Sequence, residues 1–113
     1  MTQIKRAKAI LRNYHALEAR KYVGDLDAIC TLVDLERAIA KAELTARQAE
    51  ALRLVFIEDL TQKSAGKRMR ISQQAVDLSV KSGLKRIDDV LEAWAWMEDE
   101  ISVADFENES EAV

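Results

Sequence analysis

The side chains best suited to bind another molecule lie between residues 60 and 87 of this 113-residue chain. Residues 61–87 hold a single acid, Asp77, although the whole chain carries a net charge of −3. The seven basic residues of this segment are Lys63, Lys67, Arg68, Arg70, Lys81, Lys85 and Arg86. Such a local excess of positive charge is typical of a surface that binds a polyanion. The alternative interpretation is a solvated helix face.

Several polar side chains in this segment have the chemistry to read DNA. A glutamine amide both donates to and accepts from adenine in the major groove. The base-reading candidates, all on the outer face of a helix that starts at Ser72, are Gln73, Gln74, Asp77 and Lys81. Hydroxyl groups and first-turn amides suit phosphate oxygens, and cations add attraction to the backbone that does not depend on sequence. The backbone-contact candidates are Thr61, Lys63, Lys67, Arg68, Arg70, Ser72 and Lys85.

Catalysis and cofactor binding have little support in the sequence. The chain has one histidine, His15, and one cysteine, Cys30, and each has apolar neighbours on a predicted helix. A zinc site needs several such ligands, and a phosphate loop needs a glycine-rich turn that this chain lacks. We therefore expect a protein that is not an enzyme and has no metal and no cofactor.

The elements that must position these residues are predicted to be helices only. The chain has no proline and three glycines, so it has few of the residues that end helices or make tight turns. Residues 1–43 are predicted to form a packing or oligomerising pair of helices, from Thr2 to Tyr22 and from an Asp25 cap to Lys41. The second helix is expected to bury one apolar face, made of Leu26, Ile29, Cys30, Val33 and Ile39.

Residues 44–103 are predicted to form a helix-turn-helix with a long last helix. Thr45 and Gln48 have the spacing of a capping box, and Thr61 caps a short helix that ends near Met69. Small residues, Ala65 and Gly66, allow a close crossing with the helix that Ser72 caps. The core side of that last helix has an apolar residue every three or four positions, at Val76, Val80, Leu84, Ile87, Leu91 and Trp94.

These motifs resemble region 4 of bacterial sigma-70-family factors and of small phage regulators built on that domain. The resemblance runs from Leu44 to Ile87 and rests on the segments Leu44-Thr45-Ala46-Arg47-Gln48, Leu60-Thr61 and Ile71-Ser72, with Val76, Val80, Gly83 and Ile87 following. By position, it implies that Gln73 and Gln74 read base edges and that Ser72 caps the helix and contacts the DNA backbone.

The chain departs from the family pattern at a few positions. Ser64, Ala65 and Gly66 replace an acidic, a branched aliphatic and an alanine residue. Arg70 stands where the family has glycine or asparagine, and a left-handed Arg70 costs roughly 1 kcal/mol relative to glycine. Leu78 occupies an inner reading position, and Ser82 replaces a basic residue. These differences bear on the DNA sequence preference and leave the expected fold intact.

The resemblance implies a small, sequence-specific DNA-binding transcriptional regulator of phage or mobile-element origin. Residues 1–43 lack the aromatic, basic character of a domain that melts a promoter, so we do not expect a complete sigma factor. Two other interpretations stay open. The protein could bind RNA polymerase or a sigma factor without reading DNA, or it could be the DNA-recognition small subunit of a phage terminase.

The expected partners are double-stranded DNA, RNA polymerase and a second copy of the chain, because paired half-sites give helix-turn-helix proteins their specificity. No apolar run is long enough to cross a membrane, and the expected location is the cytoplasm of a bacterial or phage-infected cell. Residues 88–113 carry ten acids and no base. We predict that the acidic tail, residues 104–113, is disordered and either solvates the protein or competes with DNA for the basic residues.

Overall fold

The computed structural model describes the backbone of residues 6–112 and the side chains of residues 6–94. Its helices are α1 (Arg6–Arg12), α2 (Tyr14–Tyr22), α3 (Leu26–Ala42), α4 (Ala46–Leu52), α5 (Gln62–Met69) and α6 (Gln73–Ala112). A π-helical segment, Arg53–Ile57, extends α4. The described residues contain no strand, which confirms the all-α prediction.

The first predicted helix is interrupted at one residue, Asn13. Its side-chain amide donates to the carbonyl of Ala9 at 2.9 Å, and its φ of −100° and ψ of 16° lie outside the helical range. Asparagine side chains often compete in this way with the backbone bonds of a helix. α1 and α2 are therefore separate helices within the segment that was predicted to be one.

α3 begins where expected, but it buries a different face. Asp25 caps it by accepting from the Ala28 amide at 3.3 Å. The buried residues are Ala28, Leu32, Leu35, Ala38 and Ala42. The predicted face was wrong in part, because Leu26, Cys30 and Val33 are exposed. Alanines contribute little to an apolar pattern, but their small size allows helices to approach closely.

α4 leads into the helix-turn-helix and supplies much of its support. The capping box is confirmed: the Thr45 hydroxyl accepts from the Gln48 amide at 3.1 Å, and the Gln48 side chain accepts from the Thr45 amide at 3.0 Å. The π-helical segment after α4 adds a residue to one turn and so shifts the buried face. Leu54, in this segment, is fully buried.

α6 is the central helix of the fold, and α1, α3, α4 and α5 all pack directly on it. Val76, Val80, Leu84, Ile87 and Leu91 are buried along one side, as predicted. A Cβ on Gly83 would lie 2.9 Å from the Leu52 side chain, so this glycine allows α4 to pack closely on α6.

The last helix, α6, continues to Ala112. That residues 104–113 form a disordered acidic tail stays a prediction. No proline or glycine follows Gly83, and alanine and glutamate, which recur in this segment, are strong helix formers.

A contact between distant parts of the chain fixes α1 on α6. The Ala7 amide donates to the Asp88 carboxylate at 2.8 Å, across 81 positions of sequence. Partial burial of this carboxylate raises the pKa of Asp88 above its usual value. The contact places the start of α1 beside the middle of α6, so residues 1–43 do not form an independent unit in space.

Among the described residues, no helix is long and apolar enough to cross a bilayer. In the same part of the chain, no three His, Cys, Asp or Glu residues lie close enough together to hold a metal ion.

Candidate nucleic-acid interface

α5, a three-residue turn and the start of α6 form the predicted helix-turn-helix. Ala65 and Gly66 are buried at the crossing, and the Ile71 amide donates to the Gly66 carbonyl at 2.9 Å. A Cβ on Gly66 would lie 2.8 Å from the Ile71 carbonyl oxygen, which belongs to the backbone of the turn. The close crossing therefore requires glycine, and it sets the angle at which α6 leaves the turn.

Arg70 ends α5 in the left-handed conformation, with φ 62° and ψ 41°. Its amide donates to the carbonyls of Gly66 and Lys67, which completes the last turn of the helix. This conformation costs a non-glycine residue on the order of 1 kcal/mol. The strain therefore lies directly between the two helices of the motif, and the arginine side chain there is exposed.

The first turn of α6 presents two free amides to solvent. Gln73 and Gln74 are both exposed, and neither has a side-chain hydrogen bond to any other residue in the described part of the chain. Their donors and acceptors are available to a ligand.

Asp77 and Lys81, in contrast to the two glutamines, form an ion pair with each other. The Asp77 carboxylate accepts from the Gln62 amide at 3.1 Å and pairs with the Lys81 ammonium at 3.0 Å. The hydrogen bond from Lys81, followed by that from Gln62, lowers the pKa of Asp77. The arrangement ties α5 to α6 through side chains and fixes the positions of all three groups next to the glutamines.

Two hydroxyl groups cap the helices of the motif, as predicted. Thr61 accepts from the Ser64 amide and Ser72 from the Ala75 amide, both at 3.0 Å. A hydroxyl has one donor hydrogen and two lone pairs. Each capping bond uses a lone pair, which leaves the hydrogen free to donate to an anion.

The basic side chains differ in their surroundings. Those of α5 and the turn are exposed, and the structure gives none of them an ion pair with another described residue: Lys63, Lys67, Arg68 and Arg70. Lys85 is exposed one turn beyond Lys81 and pairs with Asp89 at 3.4 Å. Arg86 faces away, because its guanidinium donates to the Glu43 carbonyl at 3.1 Å.

The structure adds two cations that sequence reasoning missed. Lys8 and Arg12 of α1 line a groove beside the motif together with Gln62, Asp77 and Lys81. The charge of Lys8 also favours the ionised form of Asp77. No local signal could have found this pair, since their place follows from the long-range packing of α1 on α6.

Comparison with known families agrees with this geometry. The model of the family described as Sigma-70, region 4 matches residues 42–88. These residues form a sigma-70 region 4-like helix-turn-helix domain. The region 4-like domain thus comprises α4, the π-helical segment, α5 and the first part of α6, which confirms the predicted resemblance over Leu44 to Ile87. No curated protein and no solved structure matches the chain.

The region 4-like domain is a DNA-binding type of module, so the exposed cations and amides described above lie on a fold of that class. α1, α2, most of α3 and the second half of α6 fall outside the matched residues. The groove that contains Lys8 and Arg12 is lined mostly by residues of the region 4-like domain, and α1 of the additional part forms its other side.

Proposed function

We propose that this protein is a sequence-specific DNA-binding transcriptional regulator, and not an enzyme, that inserts the start of α6 into the major groove. The observation that carries the proposal is the pair of free amides, Gln73 and Gln74, at the start of α6 in a region 4-like domain. An exposed amide next to a basic surface can read adenine while the cations hold the backbone.

The remaining candidates have distinct roles in this proposal. Asp77 and Lys81 contact bases at the edge of the site, with the Gln62 bond holding them in place. The backbone is bound by the hydroxyls of Thr61 and Ser72 and by the exposed cations Lys63, Lys67, Arg68, Arg70 and Lys85. Lys8 and Arg12 extend this basic surface along the groove.

The electrostatic part of the proposal predicts a steep salt dependence. The logarithm of the association constant should fall linearly with the logarithm of salt concentration, with a slope of about −0.9 per phosphate contacted. Lys63→Gln and Lys67→Gln should each weaken binding to every duplex and reduce that slope by about 1. Fluorescence anisotropy with a random-sequence duplex measures both effects.

Lys21→Gln is the matched control, because Lys21 is exposed on α2 and lies outside the helix-turn-helix. It should leave the slope unchanged. Equal slopes for the wild type and the two α5 variants would show that these lysines do not touch phosphate.

We also propose that the regulator binds DNA as a homodimer. An exposed apolar surface supports this proposal: Tyr22 is 91% exposed, Leu26 71% and Val33 44%. Leu26, Cys30 and Val33 are three or four positions apart and so share one face of α3. A second copy would cover this face, and a two-fold dimer would place two α6 helices on two half-sites.

Sedimentation at micromolar concentration tests the dimer. The wild type should exceed the 12.8 kDa mass of one chain, and Leu26→Glu should reduce it to that mass because a charge cannot be buried unpaired in an apolar interface. A wild type that sediments only as a 12.8 kDa species would contradict the proposal.

The proposed setting is the cytoplasm of a bacterial or phage-infected cell, with an origin in a phage or mobile element. RNA polymerase is a further proposed partner, because regulators that act at promoters work beside it. Retention of purified RNA polymerase by the immobilised protein would support this contact, and no retention would contradict it.

A further inference from the structure

A large apolar side chain stands on the face of α6 that the proposed function turns toward DNA. Leu78 is 65% exposed, whereas Val76 and Val80, two positions to either side, are buried in the core. It follows Gln74 by four positions and precedes Lys81 by three, so all three lie on neighbouring parts of one helix surface. Leu78 therefore points away from the core, between a free amide and a basic group.

The fold does not need a leucine at this position. A side chain this exposed contributes little to the core, and substitutions at such sites usually change stability only slightly. Its exposed neighbours on the same surface are polar or charged: Gln74, Lys81, Ser82 and Lys85. The phosphate and sugar groups of DNA can bind those polar and charged side chains. They offer no apolar surface on which the isobutyl group of Leu78 could pack.

The major groove has one apolar feature of the right kind, the C5 methyl group of thymine. Cytosine has hydrogen at that carbon and a polar amino group beside it, so it offers Leu78 nothing to pack against. Helical rise places Leu78 about 6 Å along the axis from Gln74, which corresponds to roughly two base steps. Gln74 can therefore bind an adenine while Leu78 packs on a nearby thymine.

We propose that Leu78 is a specificity-determining residue that selects thymine by packing on its methyl group. This inference rests on the proposed function, because it requires α6 to lie in the major groove. In this arrangement the start of α6 recognises bases in two ways: Gln73 and Gln74 form hydrogen bonds, and Leu78 makes an apolar contact.

Replacement of thymine by uracil tests the inference, since it removes the methyl group and keeps the base pair. In a duplex selected from a random library, each thymine is replaced in turn. The wild type should lose about fourfold in affinity at one or two positions, as expected for one methyl group buried. Leu78→Ala should bind the original duplex more weakly and should not distinguish thymine from uracil at those positions.

Val23→Ala is the matched control, because Val23 is also an exposed aliphatic residue but lies between α2 and α3, outside the helix-turn-helix and outside the α3 face assigned to the dimer. It should respond to uracil as the wild type does. The inference is overturned if the wild type ignores every uracil, if Leu78→Ala keeps the wild-type response, or if the selected sequence contains no thymine. If the selection enriches no sequence, the proposed function fails together with the inference. If a sequence is enriched but one of the three results above is found, only the inference fails.

Discussion

Replacing Gln73 and Gln74 together by alanine is expected to abolish most of the preference for a selected DNA sequence over a random duplex. Each side chain is exposed and has no protein partner in the described part of the chain, so its amide is available to a base. A bidentate amide contact with adenine contributes about 1–3 kcal/mol of discrimination. Competition binding with the selected and random duplexes measures the ratio of the two affinities.

The non-specific part of binding should remain in this double variant, because the α5 cations are untouched. Lys63→Gln provides the contrast: it should weaken binding to both duplexes by the same factor and leave their ratio intact. Unaltered binding by the Gln73→Ala, Gln74→Ala protein would mean that these amides do not read DNA.

Leu54→Ala is expected to cause a large loss of stability, among the largest for single truncations near the motif. Leu54 is fully buried in the π-helical segment, and its carbonyl accepts from the Leu60 amide at 2.9 Å just before α5 begins. Truncation of such a leucine leaves a cavity and lowers the free energy of unfolding by about 2–5 kcal/mol. Urea denaturation followed by the helical circular dichroism signal measures the change.

Leu78→Ala is the control for that experiment, because it makes the same chemical change at an exposed position of the same domain. It should alter the free energy of unfolding by less than about 0.5 kcal/mol. If the two variants lost equal stability, Leu54 would not be the core residue that the structure places beneath the motif.

The features that sequence could predict are those set by neighbouring residues. The caps at Thr45, Thr61 and Ser72 depend on a hydroxyl and an amide three positions apart, and the structure contains all three. The glycine or asparagine that the family has at the position of Arg70 indicates a left-handed residue there, and Arg70 is left-handed in the structure. Gln73 and Gln74 are exposed because the apolar side of α6 faces the core and these two residues lie on its opposite side.

The features that sequence could not predict depend on long-range packing. α3 has two apolar stripes, and only contact with other helices decides that Leu32 and Leu35 are buried instead of Leu26 and Val33. The bond from Ala7 to Asp88 joins residues 81 positions apart. It brings α1 beside α6, and with it the Lys8 and Arg12 side chains that line the groove.

The central claim is that α6 reads a DNA sequence, and a pooled binding selection tests it most directly. The purified protein is mixed with a random duplex library at about 100 mM salt, where non-specific attraction is partly screened, and the bound DNA is sequenced. We predict enrichment of a motif that contains adenine and thymine, repeated with two-fold symmetry if the protein binds as a dimer. A folded, helical protein that enriches no sequence would contradict the claim and would favour a module that binds RNA polymerase or a sigma factor.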